Sequence, residues 1–98
     1  MQISADNKAL YFTSAGCSVC TVLKPKVAQL ISTHYPKLEW QEINITSSPE
    51  LAAQYSVFTV PVFILLLEGK EYVRLIRAFS LDEVREKTDR VYRWLFDE

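Results

Sequence analysis

The sequence predicts an α/β fold, a four-stranded mixed sheet with helices on both faces. Two observations predict it. Short runs of β-favouring residues alternate with longer stretches of three-four apolar spacing, giving the order β-α-β-α-β-β-α. Two of those runs also carry apolar groups toward both sides, as strands do when a sheet is covered above and below. At 98 residues the chain has room for one core and not for two, so residues 1-98 read as a single domain.

The first strand is Leu10 to Thr13, and Ser14-Ala15-Gly16 is the turn out of it. The helix that follows places Val19, Val22, Leu23, Val27, Leu30 and Ile31 on one broad face. Pro25 interrupts its backbone bonding and bends it, and Tyr35-Pro36 ends it. Leu38 to Ile45 is the second strand, with Leu38 and Trp40 on one face and Ile43 and Ile45 on the other. Ser47-Ser48-Pro49-Glu50 opens a short helix reaching about Tyr55, through a serine cap, a first-position proline and an early glutamate. Val62 to Leu67 is apolar throughout and reads as a central strand. Glu68-Gly69-Lys70 turns the chain, and Tyr72 to Arg77 pairs back antiparallel. Ser80-Leu81-Asp82-Glu83 is a capping box for a last helix with inner residues Leu81, Val84, Val91 and Leu95. The order implies two parallel crossovers followed by a hairpin. Trp40 and Trp94 read as packing residues.

Composition excludes several function classes. A hydrophobic fraction of 49%, with five tyrosines, five phenylalanines and two tryptophans, argues for a packed globule. A net charge of −1 with interspersed signs gives no footprint for nucleic acid or an anionic membrane. The N-terminus has neither a basic start nor an apolar signal core, and Val60 to Leu67 is too short to span a bilayer. The expected location is the cytoplasm, where a lone Cys-x-x-Cys is catalytic or regulatory more often than a staple.

The chemistry centres on Ala15-Gly16-Cys17-Ser18-Val19-Cys20, which holds both cysteines at the strand-to-helix junction. A helix start presents free N–H groups and the positive end of the macrodipole, so a thiol there ionises more readily. Cys17 is the candidate nucleophile. Cys20, one turn in, can attack a mixed disulfide formed on Cys17 and is the candidate resolving thiol. Two other readings stand beside this one: a pair of buried hydrophobic cysteines, and a metal shared between two chains. A zinc site within one chain lacks ligands, since only His34 accompanies the cysteines.

With that order, Cys17-Ser18-Val19-Cys20, Pro25 five residues on, Val60-Pro61 and Ala78-Phe79-Ser80, the chain resembles the thioredoxin superfamily from Lys8 to Phe96. The resemblance implies a thioredoxin-like fold without the additional N-terminal strand and helix of a full thioredoxin. It also implies a cis Pro61 facing the cysteines. The chain departs from the family pattern in Gly16 before the first cysteine and in Ser18-Val19 between the two. Tyr11 stands where the family has a buried aspartate, and Glu42 where it has the accompanying lysine. Thr59-Val60-Pro61 is shared with glutaredoxins, but Arg77-Ala78-Phe79-Ser80 lacks their Gly-Gly pair.

The function this implies is thiol–disulfide exchange between the Cys17-Cys20 pair and protein disulfide substrates, with electrons from a thioredoxin reductase-like donor and no bound cofactor. Thr59, Val60 and Pro61 would form the substrate-binding segment, with Val60, extended before proline, offering its backbone to an incoming peptide. The alternative is a non-catalytic module that binds a partner or senses redox state. Glu42 is a possible proton acceptor for Cys20. Strict alternation puts it on the face of Leu38 and Trp40, in apolar surroundings that would raise its pKa; a bulge or strand end would turn it outward instead.

Overall fold

Seven elements form in the expected order: β1 (Lys8–Thr13), α1 (Ser18–His34), β2 (Glu39–Asn44), α2 (Pro49–Gln54), β3 (Val62–Leu67), β4 (Lys70–Ile76) and α3 (Leu81–Phe96). They are those of a computed structural model that describes residues 6–96, so the reading of residues 1–5 for a targeting signal lies outside the described residues. β1 begins two residues earlier than expected, because Lys8 and Ala9 already pair with Glu39 and Trp40. β4 starts at Lys70 because the hairpin needs only Glu68 and Gly69, both at positive φ (54° and 78°).

The strands lie in the order β2-β1-β3-β4. β1 and β2 are parallel, Tyr11 facing Glu42, whereas β3 is antiparallel to both β1 and β4. Among the described residues there is therefore one parallel crossover, not two. Helix length explains the difference. The six residues of α2 span about 9 Å, at about 1.5 Å each, less than half the rise of the six-residue β2, about 20 Å. α2 cannot carry the chain back along the sheet, so β3 enters from the end where β2 stopped.

Period-two alternation divides the core into two layers. Ala9, Tyr11, Phe63, Leu65 and Leu67 face α1 and α3, where Val27, Ile31 and Val84 cover them. Leu10, Phe12, Ile64 and Leu66 face α2, against Ile43, Ala52 and Val57. β2 divides as expected, Leu38 and Trp40 to the first layer and Ile43 and Ile45 to the second. All six residues of β3 are buried, each large side chain contributing roughly 1.5–3 kcal/mol.

Helix faces depart from the sequence reading in two places. On α1 the buried arc is Cys20, Val27 and Ile31, with Leu23 and Leu30 beside it, while Val19 and Val22 are 59% and 61% exposed. At 3.6 residues per turn those valines lie about 100° and about 160° around the axis from Cys20, off the sheet. On α3 the stripe is completed by Thr88, fully buried, and Trp94 is 67% exposed against Tyr72 rather than packed in the core.

The caps also differ in detail. Ser80 and Glu83 exchange the reciprocal bonds of a capping box, Glu83 N–H to Ser80 Oγ (3.1 Å) and Ser80 N–H to Glu83 Oε1 (3.4 Å). Ser48 occupies the cap position of α2 but makes no side-chain bond there. The entry to α2 is held instead by Asn44, whose Oδ1 accepts from the Thr46 and Ser47 N–H groups (2.8 and 3.2 Å).

Candidate active site

Strand directions bring three loops to one end of the sheet. β1 leaves at Thr13 toward the cysteines, β3 enters at Val62 opposite Phe12, and β4 leaves at Ile76 opposite Val62. The Ser14–Cys17 turn, the Thr59-Val60-Pro61 segment and Arg77-Ala78-Phe79 therefore share that end. The Arg77 N–H donates to the Pro61 carbonyl at 2.7 Å, tying the last two together. The Val60–Pro61 peptide bond is cis.

The turn that presents Cys17 closes with its N–H on the Ser14 carbonyl (3.3 Å). Gly16 sits at φ +80°, a left-handed conformation that costs a side-chain-bearing residue. Cys17 itself is extended (φ −88°, ψ 98°) and is the N-cap of α1, its Sγ accepting the Cys20 N–H at 3.2 Å. The sulfur thus takes the place of the usual cap oxygen and faces the unpaired N–H groups of the first turn. No acidic side chain lies in that turn to compete for them. Cys17 and Cys20 are joined in a disulfide, their Cα atoms 5.3 Å apart. Cys17 is half-buried and Cys20 is completely buried.

Beneath Cys20 lies Tyr11, fully buried, whose hydroxyl donates to the Cys20 carbonyl at 2.9 Å. Its ring stacks on Trp40 at 5.8 Å between centroids. Burial, and then the charge of Glu42 beside it, push the phenol up to about 12. Tyr11 is therefore a neutral donor and not a base near neutral pH. The sequence reading noted Tyr11 only as a departure; a tyrosine facing inward on a buried strand needs some partner for its hydroxyl, and the packing of α1 over β1 makes that partner Cys20.

Glu42 lies opposite Tyr11 in the register, on the α1 side of the sheet, so the alternation holds. Its surroundings are not apolar, however. β2 is an edge strand, and the carboxylate reaches out to the rim, where it accepts from Lys24 Nζ at 3.2 Å with both side chains about 40% exposed.

Thr59 and Val60 are half-exposed, and among the described residues neither makes a backbone–backbone hydrogen bond. Phe58, just before them, is 79% exposed. Across the site, Val19, Val22 and Phe79 line a shallow groove on the flank of α1. The sequence reading also missed Arg74 on β4. Its guanidinium donates to the Tyr55 carbonyl (2.6 Å) and the Ser56 carbonyl (3.4 Å), at the root of the Phe58–Pro61 segment.

A family model described as Thioredoxin matches residues 2–90 of this chain. The chain is similar to the thioredoxin-like protein YdfQ of Bacillus subtilis (strain 168), 33% identical over 84 residues, covering 86% of this chain and 74% of that protein. It is 35% identical over 73 residues to the thioredoxin of Chlamydia trachomatis, covering 74% of this chain and 71% of the other. Among solved structures, thioredoxin 1 from Thermosipho africanus TCF52B superposes with a TM-score of 0.84 at 31% identity, over 92% of this chain and 99% of that one.

Proposed function

This chain belongs to the thioredoxin family, whose chemistry is thiol–disulfide exchange, and on that premise we propose that it reduces disulfides in protein substrates through Cys17 and Cys20. The observation that carries the reading is the Cys17 Sγ acting as the cap acceptor of α1 at 3.2 Å from the Cys20 N–H. After reduction, negative charge on that sulfur is stabilised by the same N–H and by the helix dipole.

In the first step the Cys17 thiolate attacks one sulfur of the target disulfide. A Cys17–target bond forms, the target S–S bond breaks, and the other target sulfur leaves as a thiolate that takes a proton from solvent. Cys20 then loses its proton and attacks Cys17 Sγ. The Cys17–Cys20 bond forms and the second target sulfur leaves. Two electrons have passed from the dithiol to the target.

Thr59 and Val60 would receive the target backbone as an added strand, with Pro61 closing the site. A thioredoxin reductase-like donor would return the electrons, and a reducing cytoplasm is the setting that suits a pair recycled in this way. The proton acceptor proposed for Cys20 is Glu42, acting through solvent from its place at the rim. Glu42→Gln slowing the release step several-fold supports that role, and unchanged kinetics remove it.

The decisive experiment is reduction of insulin by the dithiol form, with trapping by single-cysteine variants. Cys20→Ser accumulates mixed disulfides with targets and Cys17→Ser does not. Trapping on Cys20 instead would reverse the roles, and no reduction by the unmodified protein would leave the partner-binding or redox-sensing reading.

A further inference from the structure

The peptide-receiving segment is held at both of its ends, from β4 and from the residue that follows it. At the far end, the Arg77 N–H holds the Pro61 carbonyl (2.7 Å). At the near end the grip comes from a side chain. Arg74 Nη2 donates to the Tyr55 carbonyl at 2.6 Å, and Nη1 to the Ser56 carbonyl at 3.4 Å. The guanidinium is itself aimed by Glu71, with Nε on Oε2 at 2.7 Å and Nη2 on Oε1 at 2.9 Å. That two-pronged pairing holds the Glu71 carboxyl below its usual range, through the hydrogen bond to Arg74 first.

Two features of the turn call for such a grip. Tyr55 caps the C-terminal end of α2, where unpaired carbonyls attract a cation. Ser56 follows at φ +57°, a conformation that serine does not favour and that its surroundings must hold. From Ser56 the chain runs through Val57, buried at 3% and bonded to the Ala52 carbonyl (2.9 Å), to the exposed Phe58 and then to Thr59 and Val60. An error in the turn would pass along these few residues to the Val60 backbone.

We propose that Arg74, oriented by Glu71, is a positioning residue for target recognition: it fixes the Tyr55–Ser56 turn and so sets where Phe58 and the Val60 backbone meet an extended peptide opposite Cys17. The inference rests on the reading that targets dock at Thr59–Pro61, and adds that β4 sets their register. Only a planar fork can hold one carboxylate and two carbonyls at once, so lysine cannot replace it fully.

The test combines amide exchange with kinetics on the intact protein. Arg74→Gln speeds exchange of the Ser56 and Val57 amides, bonded to the Ala53 and Ala52 carbonyls, about ten-fold or more while those of α1 stay unchanged. It raises KM for oxidised insulin about ten-fold, the size of one lost charge-assisted hydrogen bond, with kcat and the alkylation rate of Cys17 unaltered. Glu71→Gln, which leaves the arginine in place, moves both quantities the same way by less, and Arg74→Lys restores part of the loss. Unchanged exchange at Ser56 and Val57 would overturn the inference, whichever way activity falls. So would a fall in kcat and Tm with KM constant, the mark of a merely structural role. If the unmodified protein fails to reduce insulin, the docking reading is lost while the exchange measurement still decides whether Arg74 fixes the segment.

Discussion

Tyr11 and Gly16 show how single residues set the active end. Tyr11→Phe keeps the ring on Trp40 and removes one donor from the Cys20 carbonyl, so urea unfolding should show a loss of about 1 kcal/mol. Gly16→Ala meets no atom within 4 Å of the new Cβ, so its cost is the backbone's alone, about 1–2 kcal/mol. A clash would cost more, and a loss under about 0.5 kcal/mol would mean that the turn relaxes. At this scale the cysteines were legible because their relationship is local, three residues apart at a helix start. Tyr11 with Cys20 and Arg74 with Tyr55 were not, because each contact depends on how one element lies over another. Glu42 shows the same limit. Alternation gave its face correctly, but that β2 stands at the edge of the sheet follows from strand order.

Between elements, the question is which part of an apolar stripe meets the sheet. On α1 the spacing placed Val19 and Val22 beside Leu23, Val27, Leu30 and Ile31, yet only the last four pack on the sheet. Periodicity identifies an apolar arc and does not locate its centre. Ile31→Ala should therefore cost about 2–5 kcal/mol, and Val22→Ala within about 0.5 kcal/mol, both read from urea midpoints. Equal effects would place Val22 in the core after all. The hairpin, the capping box at Ser80 and the buried β3 were legible because each carries its own local signal. The direction of β3 was not, since it turns on the reach of α2 rather than on any residue within β3.

Across the whole molecule, two buried phenols tie elements together, Tyr11 joining the sheet to α1 and Tyr35 joining α1 to α3, and make stability depend on alkaline pH. Tyr35, at the end of α1, donates to the Arg85 carbonyl and Asp89 of α3 (3.3 and 3.2 Å), and burial, then Asp89, push it up to about 12. Tyr11 is raised to about 12 as well. A folded value above the unfolded one near 10 favours the neutral phenol in the native state. Their contribution is therefore complete below pH 10 and is lost as pH rises from 10 through 12, by about 3 kcal/mol per tyrosine at most. The urea midpoint should stay level up to about pH 9 and fall beyond 10, and Tyr35→Phe should flatten that fall. A midpoint level to pH 12 would show that the phenols ionise without opposition. The two-layer core was the most legible feature at this scale, because apolar groups on both sides of β2 and throughout β3 already require cover on both faces.

The uniform apolarity of Val62–Leu67 has a consequence outside the native state. Buried at the centre of the sheet it is harmless, but in an unfolded chain it is an uncharged, strand-forming hexapeptide of the kind that stacks into steric zippers. Glu68 and Lys70 at its exit act as gatekeepers, while its entry has only Pro61 to resist stacking. Any variant that raises the unfolded population therefore feeds a self-association that grows with protein concentration, and fibrils or lost yield are the expected signs of damage to the fold.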